Sequence, residues 1–200
     1  MEQVVVWMSW LVGAYLIGSV PFGFLIGKMR GIDVRTVGSK NIGATNVYRT
    51  VGHAWGILAF FCDFLKGFVP VCLAFRYASN SGFCVNLPVC VGLACVVGHT
   101  LTVFMKFRGG KGVATAFGMM VALATTPTLL AFAVFVVTVW LSHYISLGSI
   151  LAAAALAVLV WLFPCLLAVR IIAALVAVFV ICKHKSNIER LMKGCENKIY

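Results

Sequence analysis

Two stretches of this 200-residue sequence combine glycines with cations in a way that suits phosphate chemistry. The first is VGSKNIGATNVYR, Val37 to Arg49. Gly38 and Gly43 permit backbone conformations closed to other residues there, while Ser39, Asn41, Thr45 and Asn46 supply donors and acceptors. A loop of this kind can line an anion-binding concavity with backbone N–H groups, and Arg49 can add a bidentate clamp. The second stretch is KFRGGKGVAT, Lys106 to Thr115, which carries three cations and three glycines ahead of a helix expected to begin near Val113. It is not a P-loop, because Gly112 follows Lys111 where that motif has Ser or Thr. The mechanics are related: a glycine turn through Gly110 into a helix N-terminus points N–H groups at an anion, and Lys111 contributes a full charge. An ordinary loop of turn formers accounts for the first stretch nearly as well. A basic anchor on lipid headgroups explains the charges of the second, though not its glycines.

Further polar groups sit at the ends of apolar runs. HYISLGS and KHKSNIER supply Ser146, Ser149, His184, Asn187 and Arg190. His184 and Asn187, at i and i+3, share one helix face and are candidates for contact with a substrate. Lys183, Lys185, Lys193 and Lys198 read instead as a basic membrane-surface segment. Asp63 and Lys66 stand at i and i+3 inside an apolar run, where ionisable groups are costly and rarely face lipid. They are expected to pair with each other and support the site from behind. His99 in VVGHTLTVF is placed similarly and is read the same way.

The elements that must position these residues are apolar helices. Hydrophobic residues make up 62% of the chain and its mean hydropathy is +1.06, which marks an all-α integral membrane protein. No basic segment precedes the first apolar run, so that run is expected to be a retained span rather than a cleaved signal. Spans are expected near residues 4 to 27, 54 to 76, 85 to 105, 113 to 126, 128 to 142, 147 to 163 and 166 to 182. Several fall short of the roughly 20 residues a full crossing needs, which implies tilted, short or broken spans. ATTPTL, with Pro127, divides the run from 113 to 142. One membrane domain over residues 1–200 is the economical organisation.

Sixteen Lys and Arg against five Asp and Glu give a net charge of +11. In a soluble protein this would point to nucleic acid; in a membrane protein it orients the loops, and no nucleic-acid partner is expected. Seven spans with the N-terminus outside gather nearly all the cations on the cytoplasmic side and leave only Arg76 and Arg170 outside. Six spans would strand the basic C-terminal tail on the opposite face. The eight cysteines form no C-x-x-C pair and have no His at ligand spacing, so packing is their expected role and no metal is expected. Cys84 and Cys90 both fall near the outer face, a spacing that does not by itself establish a bridge.

Two Gly-rich cationic loops at a membrane surface suggest a site for a phosphorylated substrate beside a lipid. A phospholipid-synthesising transferase and a transporter of a phosphorylated or anionic solute both fit that description. A transporter would need polar groups near the bilayer midplane and repeat symmetry. The sequence shows no convincing repeat, and its polar residues crowd one face, which favours the enzyme.

At this point five ordered motifs carry a resemblance: GSVPFG (Gly18 to Gly23), VGSKNIGATNVYR, DFLKG (Asp63 to Gly67), HTLTVFMKFRGGKGVAT and KHKSNI. Together they resemble the bacterial acyl-phosphate:glycerol-3-phosphate acyltransferase family, PlsY, over essentially the whole chain. The resemblance implies a seven-span enzyme of the bacterial inner membrane, N-terminus out, C-terminus and active site cytoplasmic. It implies transfer of a fatty acyl group from acyl phosphate to the 1-hydroxyl of glycerol 3-phosphate, giving lysophosphatidic acid and phosphate without a cofactor. It further implies contact with membrane lipids and a functional link to the enzyme that makes acyl phosphate. Lys111, Ser39, Asn187 and His184 would carry the chemistry. Gly38, Asn41, Gly43, Thr45, Asn46, Arg49, Gly110 and Ser149 would bind substrates, with Asp63, Lys66 and His99 supporting them. His184 followed by Glu189 nearly matches the H-x-x-x-x-D motif of other acyltransferases, but that motif requires Asp. Two positions depart from the family pattern: Lys40 stands where GSGN has Gly, and Thr102 stands where H-x-x-P-V-F has Pro.

Overall fold

The computed structural model describes residues 1–82 and 84–199, and every regular element among them is a helix. The first apolar run forms α1 (Glu2–Ser19) and α2 (Phe22–Met29), broken at Val20–Pro21. Proline lacks the N–H the helix would need and pushes the residue before it out of the helical region; Val20 accordingly has ψ 117°. A short α3 (Ala44–Thr50) follows the first glycine-rich stretch. α4 (His53–Ser81) has 29 residues, about 44 Å at 1.5 Å per residue, and ends on Gly82 in the left-handed conformation. α5 (Leu87–Thr100) leads through a 3₁₀ turn (Val103–Met105) to α6 (Val113–Leu123).

α7 (Thr125–Ser142), α8 (Ile145–Leu159), α9 (Leu167–Lys183) and α10 (Lys185–Met192) complete the chain. The break expected around Pro127 falls earlier, at Ala124. Pro127 lies in the first turn of α7, where its missing N–H costs no intrahelical bond. Each expected apolar segment is thus helical. Among the described residues, four helical segments are long and apolar enough to cross a membrane, and the pair α9–α10, bent by 58°, makes a fifth if taken as one span. Val113–Leu123 and Ile145–Leu159 are the shorter apolar helices.

The chain divides into two compact units, Met1–Ala122 and Leu123–Tyr200. In the first, α1 lies against α5 where Gly18 meets the Cys95 backbone and Gly98 meets Tyr15 and Ser19. Small residues let helix backbones approach closely, the main source of cohesion where lipid is as apolar as the side chains. Ala14, Ala74, Leu87, Val91 and Cys95 fill this contact, flanked by Trp7, Trp10 and Tyr77. Gly67 and Gly118 bring α4 and α6 together in the same manner. A second cluster, Ile26, Val34, Ile42, Val47 and Ala59, anchors the segment between α2 and α3. In the second unit, α7 turns at His143 to pack along α8, and α8 packs on α9. All eight cysteines are free thiols, Cys84 and Cys90 included.

Candidate functional site

The loop between α2 and α3 is built around Asn46, a buried residue in the first turn of α3. Its Nδ2 donates to the carbonyls of Val34 (2.8 Å), Asn41 (2.9 Å) and Val37 (3.2 Å), while its Oδ1 accepts the Ser39 N–H at 2.9 Å. Asn41 Oδ1 accepts the Gly43 N–H at 2.8 Å, and the Lys40 N–H donates to the Val37 carbonyl at 3.0 Å. The row of outward N–H groups expected from the glycines is therefore not formed at Ser39, Lys40 or Gly43. A tight loop satisfies its own backbone first, and here two asparagines do it. Gly38 has φ +58°, and a Cβ there would run into Asn46 Oδ1. Ser39 and Lys40 are exposed, and Thr45 and Arg49 follow half-buried on α3, at i and i+4 on one helix face.

Upstream, Asp33 accepts from Arg35 Nε at 2.9 Å and Nη2 at 2.7 Å, with Lys28 Nζ at 3.7 Å. Hydrogen bonds from the Arg35 side chain and backbone hold the Asp33 carboxyl far below the usual carboxylate range. Lys28 and Arg35 are thereby committed to a carboxylate.

The second glycine-rich stretch folds back onto the end of α5. Gly109 N–H donates to the Thr100 carbonyl at 3.1 Å and Gly110 N–H to the His99 carbonyl at 3.2 Å, satisfying acceptors that a helix end leaves open. A Cβ on Gly109 would run into the His99 and Thr100 carbonyls, and one on Gly110 into His99 Nε2. Gly112 has φ +80° and leads directly into α6. The glycines of this stretch thus have a packing account as well as the phosphate one. Between them stands Lys111, half-buried. Phe104 and Phe107 are 55% and 60% exposed beside exposed Lys106 and Arg108, a pattern that suits anchoring at the lipid interface.

Asp63, Lys66 and His99 do come together in the interior. Lys66 Nζ lies 2.7 Å from Asp63 Oδ1 and donates to the Val20 carbonyl at 2.8 Å; His99 Nδ1 is 3.6 Å from Asp63 Oδ1. Thr102 Oγ1 donates to the neighbouring Ser19 carbonyl at 2.6 Å. The break at Pro21 leaves the last carbonyls of α1 without helical partners, and Lys66 and Thr102 supply the donors.

The remaining candidates lie in the second unit, where three of them, Ser146, Asn187 and Arg190, meet at a residue not singled out by its sequence context. Glu196 Oε1 accepts from Asn187 Nδ2 at 2.7 Å and Ser146 Oγ at 3.0 Å, and Oε2 accepts from Arg190 Nε at 2.6 Å. Burial pushes the Glu196 carboxyl up, but these three hydrogen bonds outweigh it and hold the group below its ordinary value. The clue available in the sequence was that Glu196 is one of only five acids, alone with Glu189 in a basic tail. Glu189 is exposed. His184 Nδ1 lies 2.7 Å from the Val180 carbonyl; a carbonyl only accepts, so this contact keeps the proton on Nδ1 and makes Nε2 the accepting nitrogen of the neutral ring. Ser149 Oγ donates to the Ile145 carbonyl at 2.9 Å. Ile199 N–H donates to the His143 carbonyl at 2.8 Å, tying the tail to the corner between α7 and α8.

Comparison with known proteins gives this arrangement its relatives. The family model described as glycerol-3-phosphate acyltransferase matches residues 8–194. A glycerol-3-phosphate acyltransferase of Trichlorobacter lovleyi is 50% identical over 191 residues, 96% of each chain. One from Aquifex aeolicus is 40% identical over 185 residues, 92% of this chain and 95% of the relative. The crystal structure of PlsY (YgiH), an integral membrane glycerol 3-phosphate acyltransferase, in its glycerol 3-phosphate form has a TM-score of 0.90 at 38% identity and covers 96% of this chain and 95% of its own. Its lysophosphatidic acid form has a TM-score of 0.88 at 37% identity, with the same coverage. With motifs, helices and matched length in agreement, this integral membrane chain belongs to the PlsY family of glycerol-3-phosphate acyltransferases.

Proposed function

We propose that this protein acylates the 1-hydroxyl of glycerol 3-phosphate with the acyl group of acyl phosphate, releasing lysophosphatidic acid and inorganic phosphate. The observation that carries the reading is the family match over residues 8–194, which contains both glycine-rich cationic stretches and the segment bearing His184 and Asn187. Relatives whose structures are described with glycerol 3-phosphate and lysophosphatidic acid support the acceptor and the product. Acyl phosphate is our assignment for the donor.

Acyl phosphate is a mixed anhydride with a good leaving group, so the barrier lies in bringing two anions together and activating an alcohol. The hydroxyl oxygen attacks the acyl carbon, the bond from that carbon to the bridging oxygen breaks, and phosphate departs. A phosphate oxygen or His184 Nε2 takes the hydroxyl proton. We assign Ser39 and Thr45 to the acyl-phosphate headgroup, on a loop that Asn41 and Asn46 hold in shape between Gly38 and Gly43. Lys111, beside Gly110, together with Arg49, Ser149, His184 and Asn187, is assigned to glycerol 3-phosphate and to polarising the acyl carbonyl. Asp63, Lys66 and His99 support the Gly109–Gly110 turn from within. In this reading residues 1–200 act as one membrane domain of seven spans, N-terminus outside, with the site at the cytosolic face of the bacterial inner membrane. The functional link is to the enzyme that makes acyl phosphate.

The test is direct: purified protein in detergent receives acyl phosphate and glycerol 3-phosphate, and lysophosphatidic acid is measured. Formation of that product supports the reading. No product, together with movement of phosphate or glycerol 3-phosphate into protein-bearing liposomes, would replace it with transport.

A further inference from the structure

Lys40 is held in a backbone conformation that disfavours it. Its φ is +57°, the left-handed region, where an L side chain is strained and glycine sits without penalty. Nothing inside the loop repays this: the Lys40 side chain is exposed and makes no ion pair or hydrogen bond among the described residues. Strain held at a site by the structure around it is grounds for seeking a function there.

The surroundings say what a cation at this position would do. The backbone N–H groups of Ser39, Lys40 and Gly43 are all bonded within the loop, so an anion arriving here meets side chains. Of the cations upstream in the same basic segment, Lys28 and Arg35 are already drawn to Asp33, and the Arg30 guanidinium lies over the Trp55 ring, 5.1 Å from its centroid. Lys40 directly follows Ser39 and carries an uncommitted full charge.

We infer that Lys40 is a further substrate-binding residue of this chain, its ammonium pairing with the phosphate dianion of a phosphorylated substrate at the Ser39–Asn46 loop. This rests on the acyltransferase reading. The shared chemistry is a phosphate carrying one organic substituent, supplied either by acyl phosphate or by glycerol 3-phosphate.

The experiment compares Lys40→Gly, Lys40→Gln and Lys40→Arg with the parent protein, varying each substrate at saturating concentrations of the other. Lys40→Gly relieves the backbone and removes the charge, so it separates strain from electrostatics. Expected is a rise of about fivefold in KM for one of the two substrates in the Gly and Gln variants, the scale of one exposed charge-assisted contact. kcat should stay within about twofold, and the KM effect should shrink at about 0.5 M salt. Lys40→Arg should keep the parental KM, and Lys40→Gly should melt no lower than the parent. The substrate whose KM moves identifies the source of the phosphate. Unchanged KM values for both substrates in the Gly and Gln variants overturn the inference. So does an effect confined to bilayers containing anionic lipid, which would assign Lys40 to lipid headgroups. A parent protein that forms no lysophosphatidic acid counts against the acyltransferase reading instead. Lys40 is then judged by equilibrium binding of inorganic phosphate, weaker in Lys40→Gly if the inference holds and equal if it fails.

Discussion

Gly110 lies directly against the imidazole of His99, its N–H bonded to the His99 carbonyl at 3.2 Å, with no room for a β-carbon between them. The turn that presents Lys111 therefore takes its shape from the end of α5. Gly110→Ala must displace either the ring or the turn, and a displacement of about 1 Å at a reacting centre costs about a hundredfold in rate. We expect acyl transfer to fall on that scale with the helical circular dichroism signal unchanged. Gly13→Ala is the control: its Cβ meets nothing within 4 Å, and activity should stay at the parental level. Equal activity in the two variants would sink the idea that His99 shapes the turn.

Lys111→Ala is expected to abolish acyl transfer while the protein remains folded and monodisperse in detergent. Near-normal turnover in this variant would remove Lys111 from the site.

Asp63 and Lys66 form a buried ion pair, with side chains only 3% and 2% exposed. Removing one partner leaves the other charged and unmatched in an apolar interior, a loss of about 3–5 kcal/mol. Lys66→Met and Asp63→Asn should each lower the thermal unfolding midpoint strongly, and the double variant should recover part of the loss. Strictly additive losses would show that the pair is not coupled.

Glu196 supplies a pH signature. Its folded-state carboxyl is held below the ordinary value of 4.5, so its contribution to stability is complete above that value and is lost as pH falls through the lower, folded-state value. Glu196→Gln lacks the contribution throughout. The gap in melting temperature between the parent and Glu196→Gln should therefore be constant from neutral pH down to about pH 5 and close below it. Curves that run parallel down to about pH 3 would contradict this.

Thr102 has φ −66°, the value proline is built for, and its N–H has no backbone acceptor among the described contacts. Its hydroxyl instead bonds the Ser19 carbonyl at 2.6 Å. Thr102→Val should cost about 1–2 kcal/mol for the orphaned carbonyl, measured by chemical or thermal denaturation. Thr102→Pro loses the same bond but stiffens the unfolded chain, so it should destabilise less than Thr102→Val. A proline variant that fails to fold would show that the backbone there is not free to accept it.

Much of the architecture was readable from the chain alone. Apolar runs bounded by cations have one physical outcome, because a helix satisfies its backbone within itself and a long apolar helix belongs in lipid; the break at Pro21, inside the run expected to be one span over 4 to 27, came only with the fold. Charge bias and ordered motifs narrowed function to phosphate chemistry beside a membrane, and the pairing of Asp63 with Lys66 followed from their i, i+3 spacing. The break before α7 was displaced by three residues because proline is tolerated in the first turn of a helix.

Other features depended on contacts between residues far apart in sequence, which composition and spacing do not encode. Asn46 and Asn41 look like substrate ligands in a polar loop, yet their amides are engaged with the loop's own backbone. Glu196 is one acid in a basic tail until the fold brings Ser146, Asn187 and Arg190 to its oxygens. Gly109 and Gly110 resemble a phosphate cradle until α5 is seen pressed against them. The sequence by itself determined the helices, their lipid setting and the phosphate-directed chemistry, since these depend on local polarity and charge. Only the tertiary structure decided which polar groups brace the protein and which stay open to a substrate, because hydrogen-bonding capacity is allotted by proximity in space. Lys40 joins the two: its charge was visible in the chain, and its strained backbone and unpaired ammonium only in the fold.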